Sequence, residues 1–527
     1  MPRFFNTAGP CVAARNYMLP ATARLHGVMQ FIEREQYFVL HAPRQSGKTT
    51  ALLGLAEELR ATGHYAAVYA TCEAGAVYGD EPEVADRIVA ANVLDSARRQ
   101  LPAEVQPAAE LQGHPGDVLR QTLAAWAAAS PLPVVLLLDE IDALQDRALV
   151  SVLRQLRAGF PSRPKDFPSS LVLCGLRDVR DYKVAAGGSP HLGTASPFNI
   201  KVESLTLDNF TRAEVAELYG QHTADTGQAF SQDAIDLAFS LTAGQPWLVN
   251  ALAREVVDKL RVKGIIAPEH VAEAKERLIL SRATHLDSLA DKLREPRVRR
   301  VIAPILAGDM LDPALPTDDI DYCADLGLIA RARGRPVAIA NPIYREVLPR
   351  ELTVTTQQTI PDLPRFRWAR PDGGLDLDGL LDAFIAFWRE NGEWMLRGQV
   401  WPEAAHQLVL MAFLQRVVNG GGYVEREYAL GTRRLDLLIR WHTARDAMGI
   451  PTAEERHALE VKVWRDGRVD PTAEGLVQLD AYLDRVGPAS GTLVVFDARA
   501  AAGVWSERGV RGEAMTPAGR KVGALRA

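Results

Sequence analysis

The sequence predicts a multidomain α/β protein that begins with a parallel sheet and ends with a second, smaller α/β domain. Three observations support this fold class. A Gly-Lys-Thr tripeptide at 47–49 stands between a predicted strand and a predicted helix, a wholly apolar strand at 134–138 runs into two acids, and an acid and a lysine share one face of a later strand at 458–464. At 527 residues, the chain is also too long for one compact domain.

The composition is that of an ordinary globular protein. Hydrophobic residues make up 47% and charged residues 24%, which excludes a largely disordered or collagen-like chain. Lys and Arg number 60 against 66 Asp and Glu, so a wholly basic surface for nucleic acid is excluded and a local basic groove is not. The four scattered cysteines form no C-x-x-C pair, so neither a disulfide framework nor a zinc site is predicted, and a reducing cytoplasm is expected. No apolar run approaches the ~20 residues of a membrane helix, and no membrane partner is expected.

The first motif is a loop at 41–50. It follows the apolar run Tyr37–Leu40 and precedes the helix formers Ala51–Leu59, which is the context that a phosphate-binding loop requires. Gly47 lets the backbone approach a phosphate, Lys48 would reach the β- and γ-phosphates, and Thr49 would bind Mg²⁺. The alternative is a Gly-Lys-Thr on an ordinary surface turn. The candidate ATP contacts of this loop are Arg44, Gln45, Ser46, Gly47, Lys48, Thr49 and Thr50.

The second motif is an apolar strand that ends in two acids. Val134–Leu138 is typical of the centre of a parallel sheet that is buried on both faces. Asp139 and Glu140 follow at its carboxyl end, where ligands bind in such sheets. Asp139 would hold Mg²⁺ through water, and Glu140 would orient or deprotonate the attacking water. The alternative is a strand that simply ends at a charged loop.

Further short apolar runs predict the rest of a sheet. They lie at Tyr65–Ala70, Leu171–Cys174 and Asn199–Leu205, with predicted helices between them. Alternating strands and helices imply parallel βαβ units. The first two hundred residues therefore resemble the P-loop ATPases of the AAA+ and STAND arrangement. Their loop is similar to that of bacterial AAA-like domain ATP-binding proteins, although Ala42 stands where the usual pattern has its first glycine.

The resemblance implies roles for three further residues. Leu171–Cys174 would be the sensor strand between the strands of the two motifs, with Arg177 near the γ-phosphate. Tyr17 would line the adenine pocket. Pro246, in a Gly-Gln-Pro sequence at a helix start, would pack against the nucleotide. The alternatives are an ordinary exposed arginine at 177 and a plain helix start at 246.

The middle of the chain is predicted to hold two lid domains. Residues 291–352 resemble a winged helix, with a hairpin signal at Arg333–Arg335. Such a domain can read DNA or act as a regulatory lid, and acids at the presumed recognition helix (Asp312, Asp318, Asp319, Asp321) favour the lid because they would repel phosphate. The predicted domain order is an ATPase core at 1–206, a helical lid at 207–290, the winged-helix-like domain at 291–352, a linker at 353–374 and the last α/β domain at 375–527.

The last domain carries a charged pair on an apolar strand. Glu460 and Lys462 are two residues apart on the predicted strand Ala458–Trp464, so they share a face. An acid and a lysine on such a strand are costly to bury without purpose. Asp436 lies on the preceding strand of the same hairpin. This arrangement resembles the core of the PD-(D/E)XK nuclease fold, although Leu435 replaces the proline that usually precedes the first Asp.

The nuclease resemblance implies a metal-dependent site. Asp436 and Glu460 would bind one or two Mg²⁺ ions, and Lys462 would activate the attacking water and stabilise the phosphorane. Glu403 would complete the metal shell or order the lysine, and Gln478 would contact the substrate backbone or the site water. The alternatives are a solvated strand with a Glu–Lys pair, and a nuclease-like domain that binds without cutting.

These motifs predict an ATP-binding and ATP-hydrolysing regulator coupled to a metal-dependent nuclease that cleaves DNA, with defence against phage or plasmids as the cellular hypothesis. The expected cofactors are ATP and Mg²⁺, with Mn²⁺ able to substitute at the nuclease site. The expected partners are nucleic acid, with DNA favoured, and a second copy of the chain or another protein. The alternative function is a regulatory or scaffolding ATPase whose nuclease-like domain binds nucleic acid or protein without cutting.

Overall fold

The chain forms two compact units in the computed structural model. The first is Met1–Ala267 with Asp321–Ile329, and the second is Pro268–Ile320 with Ala330–Ala527. The structure describes residues 2–25, 27–108, 110–111, 113–176, 200, 203–281, 292–307, 311–331, 336–348, 368–397, 405–418, 422–425, 437–445, 451–486 and 490–527.

The first unit is built from parallel strands and helices that alternate along the chain. Its strands are β1 (Tyr37–His41), β2 (Ala66–Thr71), β3 (Val134–Asp139), β4 (Ser170–Gly175) and β5 (Glu203–Thr206). Its main helices are α1 (Val28–Glu33), α2 (Lys48–Ala61), α3 (Pro82–Gln100), α4 (Val118–Ala129), α5 (Asp146–Gly159), α6 (Arg212–Thr226), α7 (Gln232–Thr242) and α8 (Pro246–Arg254), which continues as a π-helical turn at Glu255–Leu260.

The five strands form one parallel sheet in the order β2-β3-β4-β1-β5. Strand β4 lies between β1 and β3, which confirms the predicted place of the sensor strand. Every residue of β3 and β4 is buried, as expected for strands covered on both faces. Alternate strand residues pack against α1 and α2 on one face and against α3, α4 and α5 on the other. The carboxyl ends of the parallel strands, and the residues that follow them, therefore meet at one edge.

The helices after the sheet begin at strong caps. Thr211 forms a capping box with Glu214, and Ser231 caps α7. Between α7 and α8, Gly244 has φ +71°, and a Cβ at this position would lie 1.8 Å from the carbonyl oxygen of Phe210. Only glycine fits this approach, so the Gly-Gln-Pro sequence has a clear local reason for its first residue. Pro246 is the first residue of α8, so the predicted helix start at the Gly-Gln-Pro sequence is confirmed.

The second unit contains helices around a second sheet. Its helices are α9 (Pro268–Leu280), α10 (Pro296–Ala307), α12 (Leu377–Arg397), α13 (Ala405–Val418) and α14 (Thr472–Val486), and residues 342–348 are also helical. Helix α11 (Thr317–Asp325) and strand β6 (Ile329–Ala330) contain the points where the chain passes from one unit to the other. The other strands are β7 (Ala338–Ile339), β8 (Gly422–Glu425), β9 (Leu437–Arg445), β10 (Pro451–Trp464), β11 (Ser490–Asp497), β12 (Val510–Met515) and β13 (Lys521–Arg526).

The second sheet is mixed, with the order β12-β13-β11-β10-β9-β8. Strand β10 is antiparallel to β9 and parallel to β11, and α14 makes the crossover between the two parallel strands. The predicted strand at 458–464 is confirmed as the end of β10. Strands β12 and β13 and helix α12 were not predicted. Of the predicted linker, residues 368–374 are described, and Trp368 is buried there.

None of the helices in the described ranges combines the length and the hydropathy that crossing a bilayer requires.

Candidate nucleotide site and a second polar cluster

The loop between β1 and α2 closes around the ammonium group of Lys48. Nζ donates hydrogen bonds to the carbonyl oxygens of Ala42 at 2.6 Å and Pro43 at 2.9 Å. The Ser46 hydroxyl also donates to the Pro43 carbonyl, at 2.8 Å. Gly47, with φ +92°, turns the chain into α2, so the free N–H groups of the first helical turn face the loop. The result is a strand, a tight loop and a helix start, as an anion site needs.

The charge of Lys48 lacks a direct anionic partner among its hydrogen bonds. Burial lowers the pKa of Lys48 below its ordinary value, and the charges of Asp142 and Asp139 oppose this shift only in part. The atoms that contact Nζ are neutral carbonyls. Partial burial of a cation with neutral partners is costly, and an anion in the loop would reduce that cost.

Asp139 lies directly beside the start of α2. It is 1% exposed, and its Oδ2 accepts hydrogen bonds from the Thr49 hydroxyl at 2.7 Å and from the Tyr69 hydroxyl at 3.1 Å. Its Oδ1 accepts from the backbone N–H of Glu140 at 2.9 Å. The two predicted Mg²⁺ ligands of this unit, Thr49 and Asp139, are thus in contact. Hydroxyl and carboxylate oxygens are the donors that Mg²⁺ prefers, so the residues present fit this ion.

Glu140 is held in a backbone conformation that is uncommon for a residue other than glycine. Its φ is +53°, in the left-handed region. Burial, followed by the charges of Glu73, Asp139 and Asp142, raises the pKa of the Glu140 carboxyl above its ordinary value. Asp142 also accepts a hydrogen bond from the N–H of Leu176, at the end of the sensor strand, at 3.1 Å. A strained acid with a raised pKa at the edge of the sheet is a candidate general base.

The remaining predicted residues of the loop surround this centre. Arg44 and Gln45 are exposed, and the Thr50 hydroxyl accepts from the N–H of Cys11 at 3.1 Å. Pro246 is the buried first residue of α8, and the preceding Gln245 donates from Nε2 to the Gln45 carbonyl at 3.4 Å. The Gly-Gln-Pro segment therefore touches the loop. Arg177 lies outside the described residues.

The N-terminal segment contributes Arg24, which the sequence did not predict, and Tyr17, which it did. Arg24 donates to the Ser46 carbonyl at 3.3 Å from Nη2 and also to the carbonyl of Asp208. Tyr17 is 1% exposed, its ring lies 4.7 Å from that of Phe5, and its hydroxyl is 3.3 Å from Nδ1 of His222. Contact between Tyr17 and adenine stays a prediction.

A second polar cluster lies on β10 and α14 in the second unit. Glu460 is fully buried, and Nζ of Lys462 lies 2.9 Å from its Oε1. The same Nζ donates to Oε1 of Gln478 at 2.6 Å, and Gln478 in turn donates to Glu474 at 2.9 Å. The structure thus brings three of the predicted nuclease residues together. The other two, Glu403 and Asp436, lie outside the described residues.

A third cluster, which was not predicted, surrounds Lys275 on α9. Its Nζ lies 3.0 Å from Glu276, 2.8 Å from Glu346 and 3.1 Å from Glu425, and all four side chains are largely buried. Arg440 bridges Glu425 at 3.2 Å and Glu454 at 2.7 Å. A cavity of about 260 Å³ adjoins this cluster. No sequence motif marked it, because its members come from distant segments.

No protein-family model matches the chain, and no curated protein matches it. Among solved structures, the chain is similar to the Walker-type ATPase of Pyrococcus abyssi, at 12% identity and a TM-score of 0.48 over 65% of this chain and 99% of that one. It is also similar to the ORC1 protein of Aeropyrum pernix, solved in complex with DNA (15% identity, TM-score 0.35, covering 68% and 96%), and to the RuvB Holliday junction branch migration motor of Thermotoga maritima (18% identity, TM-score 0.33, covering 61% and 90%).

Proposed function

We propose that the first unit binds ATP with Mg²⁺ and hydrolyses it. The observation that carries this proposal is the Lys48 ammonium, which lies in a loop at the start of a helix with carbonyl oxygens as its hydrogen-bond partners. A phosphate chain would replace those carbonyls and supply the missing negative charge. The N–H groups of the first turn of α2 would add donors to the same anion.

The residues on the neighbouring strand supply the rest of the chemistry. Thr49 and Asp139 would hold Mg²⁺, which offsets charge on the phosphates. Glu140 would take a proton from the water that attacks the γ-phosphorus, while the bond to the β–γ bridging oxygen breaks and ADP and phosphate leave. The raised pKa of Glu140 suits a base that must accept a proton near neutral pH.

A Glu140→Gln variant should still bind ATP but should hydrolyse it much more slowly. Glutamine keeps the shape but cannot take the proton, so we expect ATP binding within about threefold of wild type and a loss of turnover of about 10²-fold or more. Phosphate release and binding of a fluorescent ATP analogue would be measured on the same preparations. The control is Glu104→Gln, an exposed glutamate elsewhere in the unit. Equal turnover in wild type and Glu140→Gln would refute the role of Glu140.

For the second unit we propose metal-dependent cleavage of DNA, gated by the nucleotide state of the first. The supporting observation is the contact of Lys462 with the fully buried Glu460 and with Gln478, on a strand whose neighbouring residues are otherwise apolar. A mixed sheet with a helical crossover after the lysine strand is the arrangement that the nuclease resemblance implies. The proposal requires Asp436 as a second metal ligand. Phage or plasmid defence remains the cellular hypothesis.

Plasmid cleavage in Mg²⁺ or Mn²⁺, with and without ATP, tests this second proposal. Lys462→Ala should lower the rate by about 10²-fold or more, because electrostatic stabilisers have effects of this size. The control is Lys521→Ala, which removes an exposed lysine paired with Glu513 on the same sheet. Nicking that survives in Lys462→Ala, or that needs no metal, would refute it. DNA binding without cleavage by wild type would favour the scaffolding alternative.

A further inference from the structure

Tyr69 holds the carboxylate of Asp139 from the adjacent strand. In the register of β2 and β3, Tyr69 lies opposite Leu137. Two residues further along, Thr71 lies opposite Asp139. The Tyr69 hydroxyl reaches Oδ2 of Asp139 at 3.1 Å. Together with the Glu140 N–H on Oδ1, this bond fixes the orientation of the carboxylate.

The backbone of Tyr69 is itself clamped. Strand β2 is the edge of the sheet, so the outward N–H and C=O of Tyr69 need partners from elsewhere. The side-chain amide of Gln100, at the end of α3, supplies both: Oε1 accepts from Tyr69 N–H at 3.1 Å, and Nε2 donates to Tyr69 C=O at 2.7 Å. Arg60 donates to the same Oε1 at 3.2 Å. The position of Tyr69, and with it that of the hydroxyl, is therefore fixed by contacts other than the one to Asp139.

The tyrosine remains a hydrogen-bond donor. Its hydroxyl donates to Oδ2 of Asp139 at 3.1 Å. The Thr49 hydroxyl is the other donor to Oδ2, but under the proposed function its oxygen binds Mg²⁺ as well. Tyr69 would not bind the metal. Its hydrogen bond to Asp139 can therefore stay unchanged when Mg²⁺ binds.

We infer that Tyr69 is a positioning residue for the Mg²⁺ site, and that the gain in ATP affinity on adding Mg²⁺ depends on its hydroxyl. This inference rests on the proposed ATP site. Groups that orient a metal ligand from behind typically contribute about 10–100-fold to metal affinity. Because Tyr69 touches Asp139 rather than the expected position of the nucleotide, ATP binding without metal should not depend on it.

The test is the binding of a fluorescent ATP analogue in EDTA and in Mg²⁺, compared between wild type and Tyr69→Phe. We expect the Mg²⁺-induced gain in affinity to fall by about 10-fold or more in the variant, with the affinity in EDTA within about twofold of wild type. The matched control is Tyr37→Phe, which also removes a buried tyrosine hydroxyl from the sheet, here one that donates to the Pro168 carbonyl at 2.8 Å.

Three outcomes would overturn the inference. An unchanged Mg²⁺ gain in Tyr69→Phe, with a normal gain in wild type, would refute it and leave the proposed ATP site intact. An equal loss in Tyr37→Phe would show that the effect is general loosening of the sheet. A wild-type protein that binds no nucleotide in either buffer would refute the proposed function and this inference with it.

Discussion

Lys275 is a buried lysine and Lys48 is a half-buried one, and their ammonium groups have different surroundings. Nζ of Lys275 lies within 3.1 Å of three glutamates. Nζ of Lys48 donates hydrogen bonds to two carbonyl oxygens. The charge of Lys275 is therefore compensated by carboxylates inside the fold, whereas the hydrogen-bond partners of Lys48 are neutral atoms.

The pKa shifts of the two lysines differ in direction for the same reason. Burial alone disfavours both ammonium groups. At Lys275, the charges of Glu346, Glu425 and Glu276 outweigh burial and raise the pKa above its ordinary value. At Lys48, burial prevails and lowers the pKa. The raised pKa of Lys275 therefore reflects its pairing with acids, and the lowered pKa of Lys48 reflects burial without such a pairing.

The largest effect that this comparison predicts is on stability. Lys275→Met would leave three buried carboxylates without their shared cation, and breaking such a group costs about 3–5 kcal/mol. Urea unfolding of the second unit can be followed by tryptophan fluorescence. Of the nine tryptophans in the sequence, Trp126 and Trp247 belong to the first unit and the other seven to the second, so the signal comes chiefly from the second unit.

The matching variant, Lys48→Met, changes the first unit, so its unfolding is followed by scanning calorimetry. It should leave the unfolding temperature of that unit unchanged or raise it, because it removes a charge whose hydrogen-bond partners are neutral carbonyls. Lys521→Met, at an exposed pair on the second sheet, should cost no more than about 1 kcal/mol. A loss for Lys48→Met as large as that for Lys275→Met would break the comparison.

A second prediction concerns acid. Burial opposes ionisation of Glu425, but the charges of Lys275 and Arg440 outweigh it and lower the pKa of Glu425 to about 2. Because the folded-state pKa lies below the ordinary value of 4.5, its stabilisation is complete above pH 4.5 and is lost as the pH falls toward 2. The contribution is about 3 kcal/mol.

Unfolding curves of wild type and Glu425→Gln between pH 6 and pH 2 measure this contribution. The difference in their unfolding free energies should be largest at pH 6 and should shrink steadily below about pH 4.5. A difference that stays constant over the whole range would show that folding does not change the pKa of Glu425.

The contrast between the two lysines also shows what the sequence could and could not predict. Lys48 and Thr49 are adjacent in sequence, and Asp139 ends a wholly apolar strand, so local pattern was enough to predict the residues of the candidate nucleotide site. The Lys275 cluster joins residues 71 and 150 positions apart, to Glu346 and to Glu425, and no local period reports such a pairing. Tyr69 was missed for a related reason. Its role depends on which strand lies beside β3, and strand order is set by tertiary packing.

The second sheet was predicted from the sequence only in part. The pair Glu460 and Lys462 was predicted from alternation along one strand, and their contact is confirmed. Strands β12 and β13 were not predicted. Two of the six residues of β12 are the exposed Val510 and Met515, so it lacks the apolar alternation that marked the central strands. Edge strands with little burial leave a weak signal in sequence.

A third prediction uses nucleotide to sharpen the comparison. ATP at a concentration about 100 times its Kd should stabilise the first unit by about 2.7 kcal/mol, because the ligand binds only the folded state. Scanning calorimetry with and without Mg²⁺-ATP measures the shift. Lys48→Met should abolish the shift, since the main cation of the loop is gone. Lys275→Met should retain it in the first unit while its second unit unfolds early. A nucleotide shift that survives in Lys48→Met would mean that this lysine does not bind the phosphates.

The smallest predicted effect concerns the general base. After burial, the charge of Glu73 is the largest cause that raises the pKa of Glu140. Glu140 must be ionised to take a proton, so ATP hydrolysis should fall as the pH drops through its pKa. Glu73→Gln removes the negative charge that opposes ionisation of Glu140. The acidic side of the pH–rate profile should therefore move to lower pH by a fraction of a unit, with ATP affinity unchanged. The control is Glu104→Gln, which should leave the profile in place. An acidic side that moves upward, or does not move at all in Glu73→Gln, would assign the titration to a group other than Glu140.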